Sequence, residues 1–285
     1  MTDRTSAENL LELLRTYMKS GGVEDFRQES AMILETVLSC TYTKIRAGLA
    51  DDPSPQQIET AFQMATNRLA GAPIAHVLGI AHFYGRVFKI NPGTLVPRHE
   101  TEILVDTALN LLRQDLWSKP RVLDIYTGCG NILLTIAAET TIEYGLGIDR
   151  DAAAIDIAGQ NLSAFKLGGI DFRTGEVSEE LERLDRSFHL VTANPPYIPT
   201  AEIPELQKEI SEHERWSALD GGVDGLMQYR MLAEKVRNAI LPNGYFITEI
   251  GMDQQDRIAR IFKDWDEIDF IDDLNGIPRV LKAKP

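Results

Sequence analysis

The chain has 285 residues, 44% hydrophobic and 25% charged, which suits a water-soluble protein with a sizeable core in two domains or one large α/β domain. A formal net charge of −14, with no basic run to offset it, argues against nucleic-acid binding and suits a protein partner with a basic surface. No apolar stretch reaches the ~20 residues of a membrane span, and Cys40 and Cys129 show no CxxC or Cys/His pattern, so neither a disulfide framework nor a metal site is expected.

The opening MTDRTSAENLLELL lacks the basic start and continuous apolar stretch of a secretory signal, so a cytoplasmic setting is expected. Ser6 is placed to cap a helix with Leu10, Leu14 and Tyr17 on one face, stopped by Gly21 and Gly22. A second helix is expected from about Asp25 to Cys40. Ser54, Pro55 and Gln57 supply an N-cap, a first-turn proline and a capping-box glutamine for a third, with Ile58, Phe62, Ala65 and Leu69 on its face. These residues read as packing, and residues 1–75 as a small helical substrate-recognition domain.

Over residues 76–98 the runs HVLG and RVFKI, broken by Gly79, Gly85 and an Asn91-Pro92-Gly93 turn, read as a β-hairpin linker. Residues 99–285 then alternate. A helix from Glu100 precedes strand 121–125, a helix from Asn131, strand 144–149 and a helix from Asp151. Strands at 170–173 and 189–194, a helix from Leu226 to Ile240 and strand 245–250 follow. Such alternation implies α/β architecture, a parallel sheet covered on both faces. Glu267–Asp272 and Arg279–Lys282 are expected to pair as an antiparallel C-terminal edge, with the acidic run Asp264–Asp273 solvated.

The first strand of this series ends in Asp124-Ile125-Tyr126-Thr127-Gly128-Cys129-Gly130, and the next in Asp149. Glycines after a strand permit a tight turn, and an acidic residue at the second strand end is spaced to accept from both hydroxyls of a ribose. Leu133 occupies the third glycine position of a dinucleotide fingerprint, and a carboxylate at Asp124 suits a cationic ligand better than a pyrophosphate. S-adenosylmethionine carries a sulfonium and an ammonium group.

Ala193-Asn194-Pro195-Pro196-Tyr197 ends a later strand. Two prolines remove two amide donors and stiffen the backbone, leaving rigid carbonyl acceptors. An amide nitrogen is a poor nucleophile, so its N–H groups must be held and its lone pair aimed. The Asn194 side-chain oxygen and the Pro195 carbonyl suit that task, and Tyr197 offers a wall for a planar group. Cys129 has no histidine partner nearby and reads as a small loop residue. Glu214 and Glu249 read as packing or loop-ordering groups, since transfer to an oriented amide needs no strong base.

With these blocks in view, the chain resembles the release-factor glutamine N5-methyltransferases, the HemK/PrmC-like class I enzymes that carry an NPPY motif. The resemblance runs through GAPIAHVLGIAHFYGRVFKI, LVPRHETEILVD, LDIYTGCGN, ANPPYI, ALDGGVDGLMQYR, ITEIGMDQ and IPRVLKA. It implies a Rossmann-like methyltransferase sheet and S-adenosyl-L-methionine as cofactor, leaving as S-adenosyl-L-homocysteine. The implied cofactor set is Asp124, Gly128, Gly130 and Asp149, extended here to Tyr126, Thr127, Cys129, Arg150, Glu176 and Asn194. The implied catalytic and substrate set is Asn194, Pro195 and Tyr197, with Pro196 and Arg98 beside them. Two departures stand out: Tyr126 replaces the loop's first glycine and Cys129 its serine, while His99 and Glu100 replace a Pro-Asp pair.

The expected acceptor is a glutamine side chain of a class-I peptide release factor. An N-methyltransferase acting on a small-molecule amine, amide or guanidine is the alternative, for which the altered loop is some support. A non-catalytic nucleoside-binding protein is a third reading, against which the intact Asn-Pro-Pro-Tyr argues.

Overall fold

The computed structural model describes residues 5–92, 94–114 and 117–285; Gly93 of the expected turn and the first four residues of the chain's opening lie outside the described residues. The chain forms two units, one of Met1–Gly79 with Lys208–His213, the other of Ile80–Gln207 with Glu214–Pro285.

The first unit is helical: α1 (Ala7–Ser20), α2 (Phe26–Leu38), α3 (Tyr42–Arg46), α4 (Pro55–Leu69) and α5 (Ile74–Leu78). Ser6 accepts from Asn9 N–H at 3.2 Å, and at α4 Ser54 and Gln57 bond each other's backbone in a full capping box behind Pro55. The buried face of α1 is Ala7, Leu10, Leu11, Leu14 and Met18. Tyr17, expected on that face, stays 37% exposed, because the 3.6-residue period carries the stripe from Leu14 to Met18. Glu29, 9% exposed at its side chain, takes both arms of Arg68, at 2.7 and 3.1 Å, tying α2 to α4.

His76–Gly79, expected to be a strand, closes helix α5 instead. Gly79 ends it in the left-handed region at φ 70°, and an apolar run this short carries no period that separates helix from strand. The hairpin begins one residue later, with β1 (Ile80–Phe83) antiparallel to β2 (Arg86–Lys89). Its two-residue turn, Tyr84-Gly85, has both φ positive, the twist that fits tight hairpins.

The rest of the second unit runs α6 (Thr101–Leu112), β3 (Arg121–Ile125), α7 (Asn131–Glu139), β4 (Tyr144–Asp149), α8 (Ala152–Phe165), β5 (Ile170–Thr174), α9 (Val177–Arg183) and β6 (Phe188–Ala193). Helix α10 (Lys208–Ser211) is grouped with the helical unit; α11 (Trp216–Leu219), α12 (Met227–Lys235), β7 (Ile240–Glu249), α13 (Gln255–Ile261), β8 (Glu267–Asp272) and β9 (Pro278–Lys284) complete the chain. The seven strands order as β5-β4-β3-β6-β7-β9-β8. The first five are parallel, and β9 and β8 pair antiparallel, as the sequence leads one to expect. β9 lies inside β8, so the acidic β8 is the exposed edge, where charge discourages further pairing.

β3 and β6 are buried nearly throughout because helices cover the sheet, hence their near-continuous apolar runs. Leu123, Ile148, Val191 and Phe246 sit in one core cluster with Leu232 of α12 and Phe262 after α13; truncating such a buried phenylalanine to alanine costs about 3–5 kcal/mol. Helix α12 ends at Lys235, short of the expected Ile240, because a 3₁₀ turn over residues 236–239 intervenes and Ile240 already pairs with Phe188. β4 and β5 extend to one side of β3, β6 and β7 to the other. The loops leaving β3 and β6 therefore diverge, opening a crevice at the carboxyl ends of the strands.

Candidate active site

That crevice is a cavity of about 660 Å³, within the range of small-molecule sites. Its position follows from register: Ile125 ends β3 opposite both Ile148 of β4 and Ala193 of β6. The residues just beyond, Tyr126, Asp149 and Asn194, thus converge although they are far apart in the chain. Tyr126, Gly128, Asp149 and Arg150 border the cavity, as do Glu176, Asn194 and Pro196.

The loop after β3 is held by acceptors on β4 and by one bond of its own. Thr127 N–H donates to Ile148 O at 3.1 Å, Gly130 N–H to Thr127 O at 2.8 Å, and Gly128 N–H to Asp149 Oδ2 at 2.9 Å. Two of these amides are taken up by β4 and one within the loop, so none of the three is free to cradle a pyrophosphate. A Cβ built at Gly128, where φ is +54°, meets nothing within 4 Å: the backbone is open to the cavity at this point.

Asp124 differs from its expected role. It is fully buried, accepting from Thr127 Oγ1 at 2.6 Å and Thr192 Oγ1 at 2.7 Å, and does not border the cavity. Burial pushes its carboxyl up to about 7, against the pull of the two hydroxyls. It braces the loop from beneath. The charge that favours a cation comes instead from Asp149, Asp151, Glu176 and Asp220, which border the cavity with Arg150 as a counter-charge.

Thr127, Cys129 and Gly130 are likewise buried loop scaffold rather than lining. The Cys129 thiol, 3.6 Å from Asn131 Oδ1, is pushed up to about 12 by burial, which makes it a poor nucleophile.

Tyr126 takes the left-handed region, φ 59°, which costs a non-glycine residue about 1–2 kcal/mol. Two contacts offset the strain: its ring packs on the core cluster, and its hydroxyl donates to Gln228 Oε1 on α12 at 2.8 Å. Burial, followed by the charge of Glu176, raises the phenol well above its ordinary range, so it stays a donor.

Asp149 ends β4 with both carboxylate oxygens in use, Oδ2 by Gly128 N–H and Oδ1 by Asp151 N–H at 2.9 Å. Each oxygen retains a lone pair for a hydroxyl donor. Desolvation raises its carboxyl and the two amides lower it, with a net upward shift.

Residues 194–197 belong to no regular element. Their frame comes from the following chain. Gln254 Nε2 donates to Tyr197 O at 2.9 Å, Ile198 N–H to Leu219 O at 2.9 Å, and Gly221 N–H to Ile198 O at 2.8 Å. A Cβ at Gly225, φ +73°, would stand 2.4 Å from Tyr197 O, so only glycine permits this approach. The Tyr197 hydroxyl donates to Glu249 Oε1 at 3.3 Å, and its ring packs on the core cluster; Tyr197 and Pro195 are not among the residues that border the cavity. Arg98, expected on the substrate side, is ion-paired to the buried Glu214 at 2.6 Å and does not border the cavity either.

Trp216, Met227, Gln228 and Met231 border the cavity although none was expected there from sequence; Met227 and Gln228 fall within the ALDGGVDGLMQYR block, and α11 and α12 bring the four residues there. Trp216 and Met227 are about half exposed, an apolar rim. Thr101 and Glu249 form a buried pair behind Asn194, through hydrogen bonds of 2.6 Å between the pair and 3.2 Å to Asn194.

Residues 9–79 match the family described as the PrmC N-terminal domain, and residues 117–269 match that described as a methyltransferase domain. A protein of Bradyrhizobium diazoefficiens named release factor glutamine methyltransferase is 34% identical over 98% of this chain and 95% of its own length. One of the same name from Geobacter sulfurreducens is 31% identical over 96% of this chain and 95% of its own. Among solved structures, the hMettl16 catalytic domain in complex with the MAT2A 3′UTR hairpin 6 superposes with a TM-score of 0.52 at 12% identity, covering 81% of this chain and 82% of that one, a likeness of fold. No helix among the described residues is long and apolar enough to cross a membrane.

Proposed function

This chain belongs to the release factor glutamine methyltransferase family, and on that premise we propose that it moves a methyl group from S-adenosylmethionine to the side-chain amide nitrogen of a glutamine in a peptide chain release factor. The observation that carries the reading is the placement of the rigid Asn194-Pro195-Pro196 loop, one residue beyond β6, on the same cavity as Asp149 and Gly128.

The residues fit the cofactor. Asp149 offers acceptor capacity to two ribose hydroxyls, Gly128 leaves its backbone open to the cavity, and the bordering carboxylates suit a sulfonium and an ammonium. S-adenosylmethionine supplies a methyl carbon on a cationic sulfur that leaves as a neutral thioether. Asn194 Oδ1, which borders the cavity, accepts an amide N–H and so turns the nitrogen lone pair away from the protein and toward the methyl; Pro195, set back from the cavity, and Pro196 stiffen the frame. The surplus proton on nitrogen passes to solvent, and no residue need act as a strong base. Tyr197 shapes the site through its bond to Glu249 rather than as a lining wall.

The helical unit supplies the surface that a lone glutamine side chain cannot, and the net charge of −14 favours approach to a basic partner. The test incubates the enzyme and labelled cofactor with a release factor, its Gln→Ala variant at the acceptor position, and a panel of free amines, amides and guanidines. Label on the wild-type factor alone is expected. Label on a free amine or guanidine with none on the factor transfers the assignment to a small-molecule acceptor.

A further inference from the structure

Thr101 opens α6 and Glu249 ends β7, and neither borders the cavity. Both are almost fully buried, 1% and 2% exposed, and they meet behind Asn194. Thr101 Oγ1 donates to Glu249 Oε2 at 2.6 Å. A hydroxyl has one proton, so toward Asn194 it can present only a lone pair. Asn194 Nδ2 lies 3.2 Å from it and fills that acceptor. The two ends of an asparagine amide have the same shape and opposite polarity, and only the hydrogen-bond network decides which faces where.

We infer that Thr101 and Glu249 are positioning residues that fix the polarity of the Asn194 amide, turning its oxygen toward the acceptor nitrogen. The inference rests on the methyltransferase reading and adds to it Glu249, read from sequence as a packing or loop-ordering group, and Thr101, not expected at the site. Were the amide reversed, its NH₂ would face the N–H groups of the substrate, donor against donor. The substrate amide would then be repelled at the point where it must be held. Glu249 is itself anchored: Tyr197 OH donates to its Oε1 at 3.3 Å, and Tyr229 OH to its main-chain oxygen at 2.9 Å. One carboxylate therefore orders both ends of the Asn-Pro-Pro-Tyr loop, Asn194 through Thr101 and Tyr197 directly. Burial raises the Glu249 carboxyl to about 7, so above that pH it is a carboxylate that only accepts.

The experiment compares wild type, Thr101→Val and Thr101→Ser on a release factor at about pH 8, with cofactor affinity by calorimetry and melting temperature on each. Valine keeps the shape of threonine and removes the hydroxyl. For Thr101→Val, kcat is expected to fall by at least about tenfold with cofactor affinity within threefold. Thr101→Ser restores kcat to within about threefold, a rescue that packing alone would not give, since serine lacks the methyl that valine retains. A folded Thr101→Val with kcat within twofold of wild type overturns the inference, as does equal loss in both variants. An enzyme whose wild type labels no release factor refutes the functional reading instead, and the two failures are thus distinct. Proton exchange at the Asn194 side-chain amide of wild type, identified in ¹⁵N–¹H spectra by its loss in Asn194→Ala, is independent of variant folding. Slow exchange is expected of an NH₂ held by Thr101; exchange at the rate of a free asparagine overturns the inference.

Discussion

Replacing Asp149 by alanine separates its two tasks. In the folded chain its carboxylate accepts two backbone N–H groups at 2.9 Å, tying the Gly128 loop to the start of α8. Hydrogen bonds to a charged group contribute about 1.5–3 kcal/mol each. Gly128 and Asp151 are partly exposed, so water replaces much of what is lost, and the upward shift of the Asp149 carboxyl shows that its burial already costs something. The net destabilisation is then about 2 kcal/mol, a fall of about 4–8 °C in melting temperature for a unit of this size. Two ribose hydroxyls on the same carboxylate would lose about 3–6 kcal/mol of binding between them, or roughly 10²–10⁴-fold in Kd. Asp149→Asn keeps one acceptor oxygen and should fall between, near tenfold. Calorimetry with S-adenosylmethionine and S-adenosylhomocysteine, beside melting curves, reads both tasks. A lowered melting temperature with Kd unchanged would reduce Asp149 to a brace for the loop and place the ribose elsewhere.

Asn194→Ala should abolish most methyl transfer to a release factor while leaving Kd for the cofactor within a few-fold, because orientation of the acceptor and retention of the cofactor are separate tasks; parallel loss of cofactor binding in calorimetry would mean the subsites are confused. Tyr126→Phe keeps the ring and removes the bond to Gln228, a loss of about 1 kcal/mol that scanning calorimetry should register as a fall of about 2–4 °C. No shift would show that the phenol does not offset the backbone strain at this residue. Glu249, raised to about 7 from its ordinary 4.5, holds in the folded state a proton that the unfolded chain has already released, so its contribution to stability falls as pH rises through that window. Relative to Glu249→Gln, which cannot ionise, wild type should lose on the order of 3 kcal/mol between about pH 5 and about pH 8 in denaturant titrations; a difference that does not change with pH would refute the assignment.

Much of the architecture is legible along the chain because its signals are local. Capping at Ser6 and at Ser54 with Gln57, and the alternation of apolar strands with helices, each act within a turn or two. The glycine loop and the Asn-Pro-Pro loop are read in the same way, since glycine and proline restrict or free the backbone wherever they stand. Local signals fail where an apolar run is too short to carry a period, as at His76–Gly79, which caps a helix where a strand was expected.

Tertiary structure decided what each polar side chain does. Asp124 and Asp149 both sit at strand ends and look alike in sequence, yet one is sealed beneath two threonines and the other borders the cavity. Burial depends on which strand lies between which neighbours, and strand order is not written in any single segment. Tyr126 meets Gln228, and Thr101 meets Glu249 across 148 positions, only because sheet register brings them together. A hydrogen bond requires atoms within about 3 Å, and composition and spacing along the chain set no such distance between residues so far apart.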